Sequence, residues 1–208
     1  RSRKVVRRIT SGLKSLLKSR HIDIIPDEAV LTSNNAIKLV SSGDTLEAKS
    51  IIIATGAVNR EIEAIPLVNQ RVLSTRKALE LKNLPSSISI IGGGAAGVEF
   101  AYIYAIYGSK VTLVETMPHL LPNEEPEISA ILERNFAKIG MRIMTSSKVV
   151  SSDLTNNLCT LNISSPDGNS QIESDYLLVA VGMSGNISGL GLERLGIITD
   201  RDFITIDH

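Results

Sequence analysis

The sequence contains only one cysteine, Cys159, among its 208 residues. A single cysteine excludes an intrachain disulfide framework and a Cys-x-x-Cys metal or redox pair, and it is compatible with a reducing compartment. No apolar run reaches the roughly 18 residues that a membrane-spanning helix needs. Basic and acidic side chains balance, with 22 of each, which gives no general reason to expect nucleic acid as a partner. With 43% hydrophobic residues, the composition is typical of a soluble globular protein, and we expect a cytoplasmic location without a membrane contact.

The first twenty residues depart from this even charge distribution, because they hold eight basic residues and no acid. Apolar residues recur among them at helical spacing, at positions 5, 6, 9, 13, 16 and 17. A transit peptide or a basic helix on a membrane surface would have this pattern. We favour a surface helix whose apolar stripe packs on its own domain. Because the chain starts at Arg1 without a methionine, we expect it to be part of a longer protein.

A glycine cluster follows a short apolar run in the middle of the chain, at residues 88–97. Gly92, Gly94 and Gly97 have the G-x-G-x-x-G spacing of a turn that joins a strand to a nucleotide-binding helix. The first glycine allows a tight turn, the second lets the backbone approach a pyrophosphate, and the third lets the helix lie close to the sheet. The helix then directs unpaired N–H groups and the positive end of its dipole at the phosphates. A purely structural glycine turn is the alternative.

An acid follows the next predicted strand, at residues 111–114. Glu115 lies 21 residues after Gly94, a spacing that suits a carboxylate hydrogen-bonded to an adenosine ribose. Such a carboxylate repels a 2′-phosphate, and residues 116–118 include no arginine that would bind one. The sequence therefore predicts an NAD site rather than an NADP site. A surface glutamate at a strand end is the competing interpretation.

The rest of the chain is predicted from its apolar patterns and turn residues. We expect strands at 22–25, 29–31, 36–40, 50–54, 141–144, 148–150, 158–163, 171–173 and 176–181, with a turn at 165–169. A helix is predicted over 123–139, ended by Gly140. Residues 57–86 are predicted to be a linker with one small amphipathic element.

Two parts of this pattern repeat. Residues 22–56 and 143–182 share a short strand, meander strands and a final apolar strand that ends in Ala-x-Gly. This similarity indicates two copies of one nucleotide-binding architecture, of which only the second includes its glycine turn. Chance similarity between two short β patterns is the alternative.

With these motifs, the chain resembles the flavoprotein disulfide reductases, and among them the dihydrolipoamide dehydrogenases. The matching stretches are 53–57, 90–100, 114–115, 180–182 and 189–193. The resemblance implies an α/β fold: a Rossmann-like NAD-binding domain, with a parallel sheet plus a β-meander, at 81–200. It is preceded at 1–80 by the C-terminal portion of a similar FAD-binding domain and a linker, and 201–208 start the return to the FAD domain. The family's usual Gly-Arg-x-Pro-Asn stretch reads here Gly182-Met183-Ser184-Gly185-Asn186, so no role of that arginine carries over.

The resemblance also implies the site residues. The NAD-binding set is Gly92, Gly94, Gly97, Glu99, Glu115, Val149, Ala180 and Gly182, and the flavin-domain contacts are Thr55 and Gly56. Glu99 would lie near the nicotinamide and pair with a lysine that this sequence lacks. An ordinary acid near a helix N-terminus is the other interpretation of Glu99. We expect Cys159 to be a core residue, and we predict no catalytic residue and no metal site in this chain, because its three histidines are scattered.

The implied function is that of a fragment of a dihydrolipoamide dehydrogenase, an enzyme that passes electrons from dihydrolipoamide to NAD by way of FAD. Its expected partners are NAD(H) and, in the full-length protein, FAD, a second copy of the chain, and the lipoyl-bearing acyltransferase of a 2-oxo acid dehydrogenase complex. This stretch alone, without the flavin motif and the redox cysteine pair of the family, is expected to be inactive. The alternatives are another flavoprotein disulfide reductase and a stand-alone NAD-binding regulatory module.

Overall fold

The computed structural model describes residues 2–66, 69–155 and 158–207. The chain forms two compact units, one of Arg1–Thr55 with Ile187–His208 and one of Gly56–Asn186. No helix in the described ranges is both long enough and apolar enough to cross a bilayer.

The elements of the described chain follow one another with short connections. In chain order they are α1 (Ser2–Ser19), β1 (Ala29–Ser33), β2 (Ala36–Leu39), β3 (Thr45–Glu47), β4 (Ala57–Asn59), β5 (Val72–Ser74), α2 (Thr75–Ala78), β6 (Ser87–Ile91), α3 (Ala95–Ile106), β7 (Lys110–Val114), α4 (Pro126–Lys138), β8 (Arg142–Met144), β9 (Lys148–Leu154), β10 (Cys159–Ser165), β11 (Gly168–Ser174), β12 (Tyr176–Val179), β13 (Met183–Gly185), a 3₁₀ helix (Glu193–Leu195), β14 (Thr199–Asp200) and β15 (Phe203–Ile204).

The first unit contains an antiparallel meander, in the order β1-β2-β3. The later segment of this unit adds to it, because the Leu31 N–H donates to the Leu190 carbonyl at 2.9 Å. A Cβ at Gly191 would lie only 2.8 Å from the Leu31 carbonyl oxygen, and its φ of +81° also favours glycine. The buried side chains here include Leu31, Leu39 and Leu192.

Two predictions for the first unit are wrong. Residues 22–25 and 50–54 form no strand, and Ile52 is 90% exposed. An isolated strand leaves its N–H and C=O groups without partners, and no described strand pairs with either segment. The apolar stripe of α1 is also uncovered, with Val6 61% and Ile9 66% exposed, so the predicted packing of this helix on its own domain is not found.

The second unit is built on a five-stranded parallel sheet in the order β5-β12-β6-β7-β8. From β6 the chain passes through α3 to β7 and through α4 to β8. It then returns through the antiparallel meander β9-β10-β11 and enters the sheet as β12, on the other side of β6. The order of the strands therefore reverses between β6 and β12, which is where ligands bind in open α/β sheets.

Consecutive residues of the central strands point to opposite faces of this sheet. Ile90 packs in a cluster with Val98 of α3 and Phe136 of α4. Ile91 packs in a second cluster with Leu161 and Ile163 of the meander. Because both faces are covered, the strands are almost continuously apolar, as expected of buried parallel strands. The predicted fold class, α/β with a parallel sheet plus a β-meander, is confirmed.

Smaller predictions were met in part. The helix predicted over 123–139 begins at Pro126, where proline is favoured because a first-turn N–H has no helical partner. It ends before Gly140, which has φ +84°. The turn at 165–169 is a tight hairpin in which Ser165 pairs with Gly168. The predicted linker 57–86 instead contains the strands β4 and β5 and the helix α2.

Candidate nucleotide-binding site

The glycine turn after β6 packs too tightly for any larger residue at two of its positions. Gly92 has φ +106°, and a Cβ there would lie 2.5 Å from the Ala180 carbonyl oxygen. A Cβ at Gly97 would lie 1.8 Å from the Gly92 carbonyl oxygen. Gly92 therefore allows the turn to pass beside β12, and Gly97 allows α3 to lie on the turn.

Gly94 differs from its neighbours because no described atom lies within 4 Å of the place where its Cβ would be. Its φ is −73°, so the backbone conformation does not require glycine. Gly94 is also the N-cap of α3, with no side chain capping the helix. The first N–H groups of the helix therefore lack a side-chain partner, and a positive dipole end meets an open space, a combination that favours a phosphate.

Glu115 is 7% exposed at the end of β7, and both of its carboxylate oxygens accept hydrogen bonds. The Gly93 N–H donates to Oε2 at 2.5 Å, the Met117 N–H donates to Oε1 at 2.7 Å, and the Thr116 hydroxyl donates to Oε1 at 3.0 Å. A carboxylate offers about four acceptor positions, so one remains for a ligand hydroxyl. Glu115 thus also holds the glycine turn to the end of β7, a role that sequence reasoning missed.

A cavity of about 600 Å³ opens at the carboxyl ends of β6 and β12, a volume typical of small-molecule and cofactor sites. Six of the ten predicted cofactor-binding residues line it: Gly92, Gly94, Glu115, Val149, Ala180 and Gly182. These residues come from four separate stretches of the chain. The topology of the sheet brings them together at the point where the strand order reverses.

The other four predicted residues do not line this cavity. Gly97 lies beneath the glycine turn, and Glu99 is exposed on the first part of α3. Thr55 is the last residue of the first unit's opening segment. Gly56 begins the second unit, with φ +78°, and its carbonyl accepts the Asn186 N–H at 3.0 Å.

The cavity also includes residues that sequence reasoning did not select. Asn59 and Met183, opposite each other in the pairing of β4 with β13, contribute to the lining. Ser147 and Lys148 do so from the segment before Val149. The adjacency of Lys148 to the predicted Val149 was the one signal in the sequence that pointed to it.

Cys159 is fully buried in β10, which confirms the prediction that it is a core residue. Burial raises the pKa of its thiol, an effect that outweighs the opposing influence of the nearby Arg71 guanidinium. Among the described residues, no group of three histidine, cysteine or acidic side chains is placed to hold a metal ion.

Known proteins share this architecture along the entire chain. The sequence profile of the pyridine nucleotide-disulphide oxidoreductases matches residues 1–208. The chain belongs to this family. Membership implies nicotinamide and flavin cofactors in general, and it agrees with a Rossmann-like nucleotide domain preceded by part of a similar flavin domain.

Relatives in this family share substantial identity. The dihydrolipoyl dehydrogenase of Chlorobaculum parvum is 40% identical over 212 residues, which cover 100% of this chain and 45% of the relative. The dihydrolipoyl dehydrogenase of Rhizobium etli is 38% identical over 225 residues, which cover 100% of this chain and 47% of the relative. The resemblance to dihydrolipoamide dehydrogenases is thus confirmed. The chain spans about half the length of these relatives.

Solved structures also have the same fold as this chain. The crystal structure of LpdA from Mycobacterium tuberculosis is 28% identical with a TM-score of 0.85, over 98% of this chain and 46% of that one. The HOCl-induced flavoprotein disulfide reductase RclA from Escherichia coli, in its Cu(II) complex, is 28% identical with a TM-score of 0.84, over 99% of this chain and 46% of that one.

Proposed function

We propose that this chain is the nucleotide-binding part of a dihydrolipoamide dehydrogenase and that its cavity binds NAD(H). The observation that carries the proposal is the pairing of an open Gly94 at the start of α3 with the buried carboxylate of Glu115 in one cavity. An uncapped helix start fits a pyrophosphate, and a carboxylate fits the hydroxyls of a ribose. Both groups belong to a dinucleotide, and the cavity has the volume for it.

The choice of NAD over NADP rests on charge. Glu115 keeps its carboxylate at the cavity wall, where an added 2′-phosphate would be repelled. Thr116 and Met117 occupy the turn that follows, and neither provides a guanidinium for a phosphate. Val149 supplies an apolar wall on which an adenine ring would pack.

In the full-length protein, this part would hold the nicotinamide for electron exchange with FAD, on the path from dihydrolipoamide to NAD. The cofactors carry the electrons, and the chain supplies binding, orientation and exclusion of water. Gly92, Gly94 and Gly97 shape the phosphate site, whereas Ala180 and Gly182 bound the cavity beside β12. Glu99 would face the nicotinamide, and Thr55 and Gly56 would contribute to the flavin domain.

We further propose the domain limits 1–80, 81–200 and 201–208, a homodimeric full-length enzyme in the cytoplasm, and a lipoyl-bearing acyltransferase as its protein partner. The names of the curated relatives support a dihydrolipoamide dehydrogenase as the full-length enzyme. Another flavoprotein disulfide reductase is the second candidate, favoured by the structural likeness to RclA.

Gly94→Ala tests the nucleotide site directly. The new methyl group meets no protein atom, so the variant should fold as the wild type does. It would occupy the space proposed for the pyrophosphate, and calorimetric titration should show NADH binding weakened by about tenfold or more, since closely apposed phosphate contacts are lost. Equal NADH affinity in the wild type and in folded Gly94→Ala would refute the phosphate site. A wild type that binds no NADH would refute the proposed function itself.

A further inference from the structure

The lining of the nucleotide cavity contains two charged side chains of opposite sign. Among the described residues around it, Glu115 is the acidic one and Lys148 is the basic one. Lys148 is the first residue of β9, and its side chain is exposed. It also lines an adjoining groove, which shares Ile62 and Val149 with the cavity. Lys148 therefore lies where the cavity adjoins this groove, beside Val149, the wall proposed for the adenine.

Backbone hydrogen bonds fix Lys148 relative to Glu115. The Ser147 N–H donates to the Glu115 carbonyl at 2.9 Å, and the Ser146 N–H donates to the Met117 carbonyl at 2.9 Å. Ser147 is almost fully buried, and its hydroxyl donates to the Thr145 carbonyl at 2.8 Å. The segment that leads into Lys148 is thus attached to the same turn that presents the Glu115 carboxylate.

The two charges do not neutralise each other through a direct contact. In the described chain, the partners of the Glu115 carboxylate are Gly93, Thr116 and Met117. Lys148 lies among the outward-facing residues, between the buried Ser147 and Val149. Its ammonium is consequently left for solvent or for a ligand in the cavity.

We propose that Lys148 is a second specificity residue for the adenosine end of the nucleotide, acting against Glu115. This inference rests on the proposed function. Glu115 repels a phosphate on the ribose, whereas the Lys148 ammonium attracts it, so the proposed preference for NADH is the balance of the two charges. Because an ammonium is a compact point charge on a flexible stem, it can reach a phosphate without the rigid geometry that a guanidinium needs.

The test is a double-mutant cycle on the 208-residue chain, with NADH and NADPH titrated calorimetrically into the wild type, Lys148→Met, Glu115→Ala and the double variant. Methionine keeps the length and the apolar stem of lysine without its charge. In the Glu115→Ala background, Lys148→Met should weaken NADPH binding by about threefold to tenfold, because the contact is partly exposed, and NADH binding by no more than about twofold. Lys110→Met is the matched control, since Lys110 is exposed at the opposite end of β7 and should change neither affinity.

Salt provides a second readout that a merely structural role would not move. The NADPH affinity of Glu115→Ala should fall between roughly 0.02 M and 0.3 M salt, and it should fall less in the double variant, because screening acts on the Lys148 charge. If Lys148→Met weakens NADH and NADPH equally, or leaves both unchanged, the proposal is overturned although NADH binding stands. If the wild type binds neither nucleotide, the proposed function has failed, and this inference fails with it.

Discussion

Residues 50–53 and 176–179 are similarly apolar and both continue as Ala-x-Gly, yet only the second stretch forms a strand. β12 inserts between β5 and β6, and Leu177 and Leu178 are fully buried. In the first stretch, Ile52 is 90% exposed. The difference shows that an apolar run can form a buried parallel strand but is not sufficient for one. The neighbouring strands that satisfy its backbone groups decide whether it does.

The largest loss of stability is expected where the glycine turn beside β12 is disturbed. Gly97→Ala places a methyl group 1.8 Å from the Gly92 carbonyl oxygen, against backbone that cannot move without separating α3 from β6. We expect a loss of at least about 3 kcal/mol in the free energy of unfolding, at the upper end of overpacking effects. Urea denaturation followed by circular dichroism measures it. Gly94→Ala is the matched control, because its methyl group enters open space, and equal stability losses in the two variants would contradict the packing argument.

A direct comparison of the two apolar stretches comes next. Leu178→Ala removes a fully buried side chain and should cost about 3 kcal/mol, from the lost transfer free energy and the cavity left behind. Ile52→Ala should change stability by no more than about 0.5 kcal/mol, because the side chain is already exposed. Hydrogen exchange should show slow amides at 177–179 and fast amides at 51–54. Slow exchange in both stretches would show that residues 50–54 are paired after all.

These contrasts explain how far the sequence could predict the fold. The second unit was predictable because its strands, glycine turn and acid are all present and agree with one another. The errors at 22–25 and 50–54 arose because periodicity describes a strand's faces and not its neighbours. Likewise, the amphipathic pattern of α1 identified a helix correctly, but no pattern within that helix could say what covers its apolar side.

The candidate site, like the fold, was predictable only in part. Gly92, Gly94 and Glu115 belong to one local motif, and the cavity contains all three. Lys148 was not selected, since it is more than 30 residues from Glu115 and reaches the cavity through backbone bonds between two turns. The bonds from Gly93 and Met117 to Glu115 were equally invisible, because backbone N–H groups leave no mark on the sequence.

The two repeats also differ in the residues that select a cofactor. In this chain, only the second repeat contains a glycine turn and an acid after it. Glu115→Ala should weaken NADH binding by about tenfold to a hundredfold, the value of a charge-assisted hydrogen bond of about 1.5–3 kcal/mol. Adding Met117→Arg should favour NADPH, since a guanidinium binds phosphate bidentately. Calorimetric titration of the wild type and both variants with each cofactor measures these changes.

Because Glu115 also holds the glycine turn, the folded fraction of each variant must be confirmed by circular dichroism. A wild type that binds NADPH as tightly as NADH would show that Glu115 does not select the cofactor.

The smallest effect concerns Cys159, whose counterpart in the first meander is not a cysteine. Cys159→Ser should cost about 1 kcal/mol, as a buried but nearly isosteric change, and should leave the NADH affinity within about twofold, because Cys159 does not line the cavity. Burial raises the pKa of the native thiol above its unfolded value of about 8.5. The folded state therefore holds the proton more tightly, and this part of the stability is complete below about pH 8.5 and is lost as the pH rises towards the native pKa.

The pKa of Tyr104 is also raised by burial, so the wild type must be compared with Cys159→Ser across pH 7 to 10 rather than measured alone. The stability advantage of the wild type should shrink at the alkaline end, and an advantage that stays constant would mean that the thiol does not titrate differently in the folded and unfolded chains.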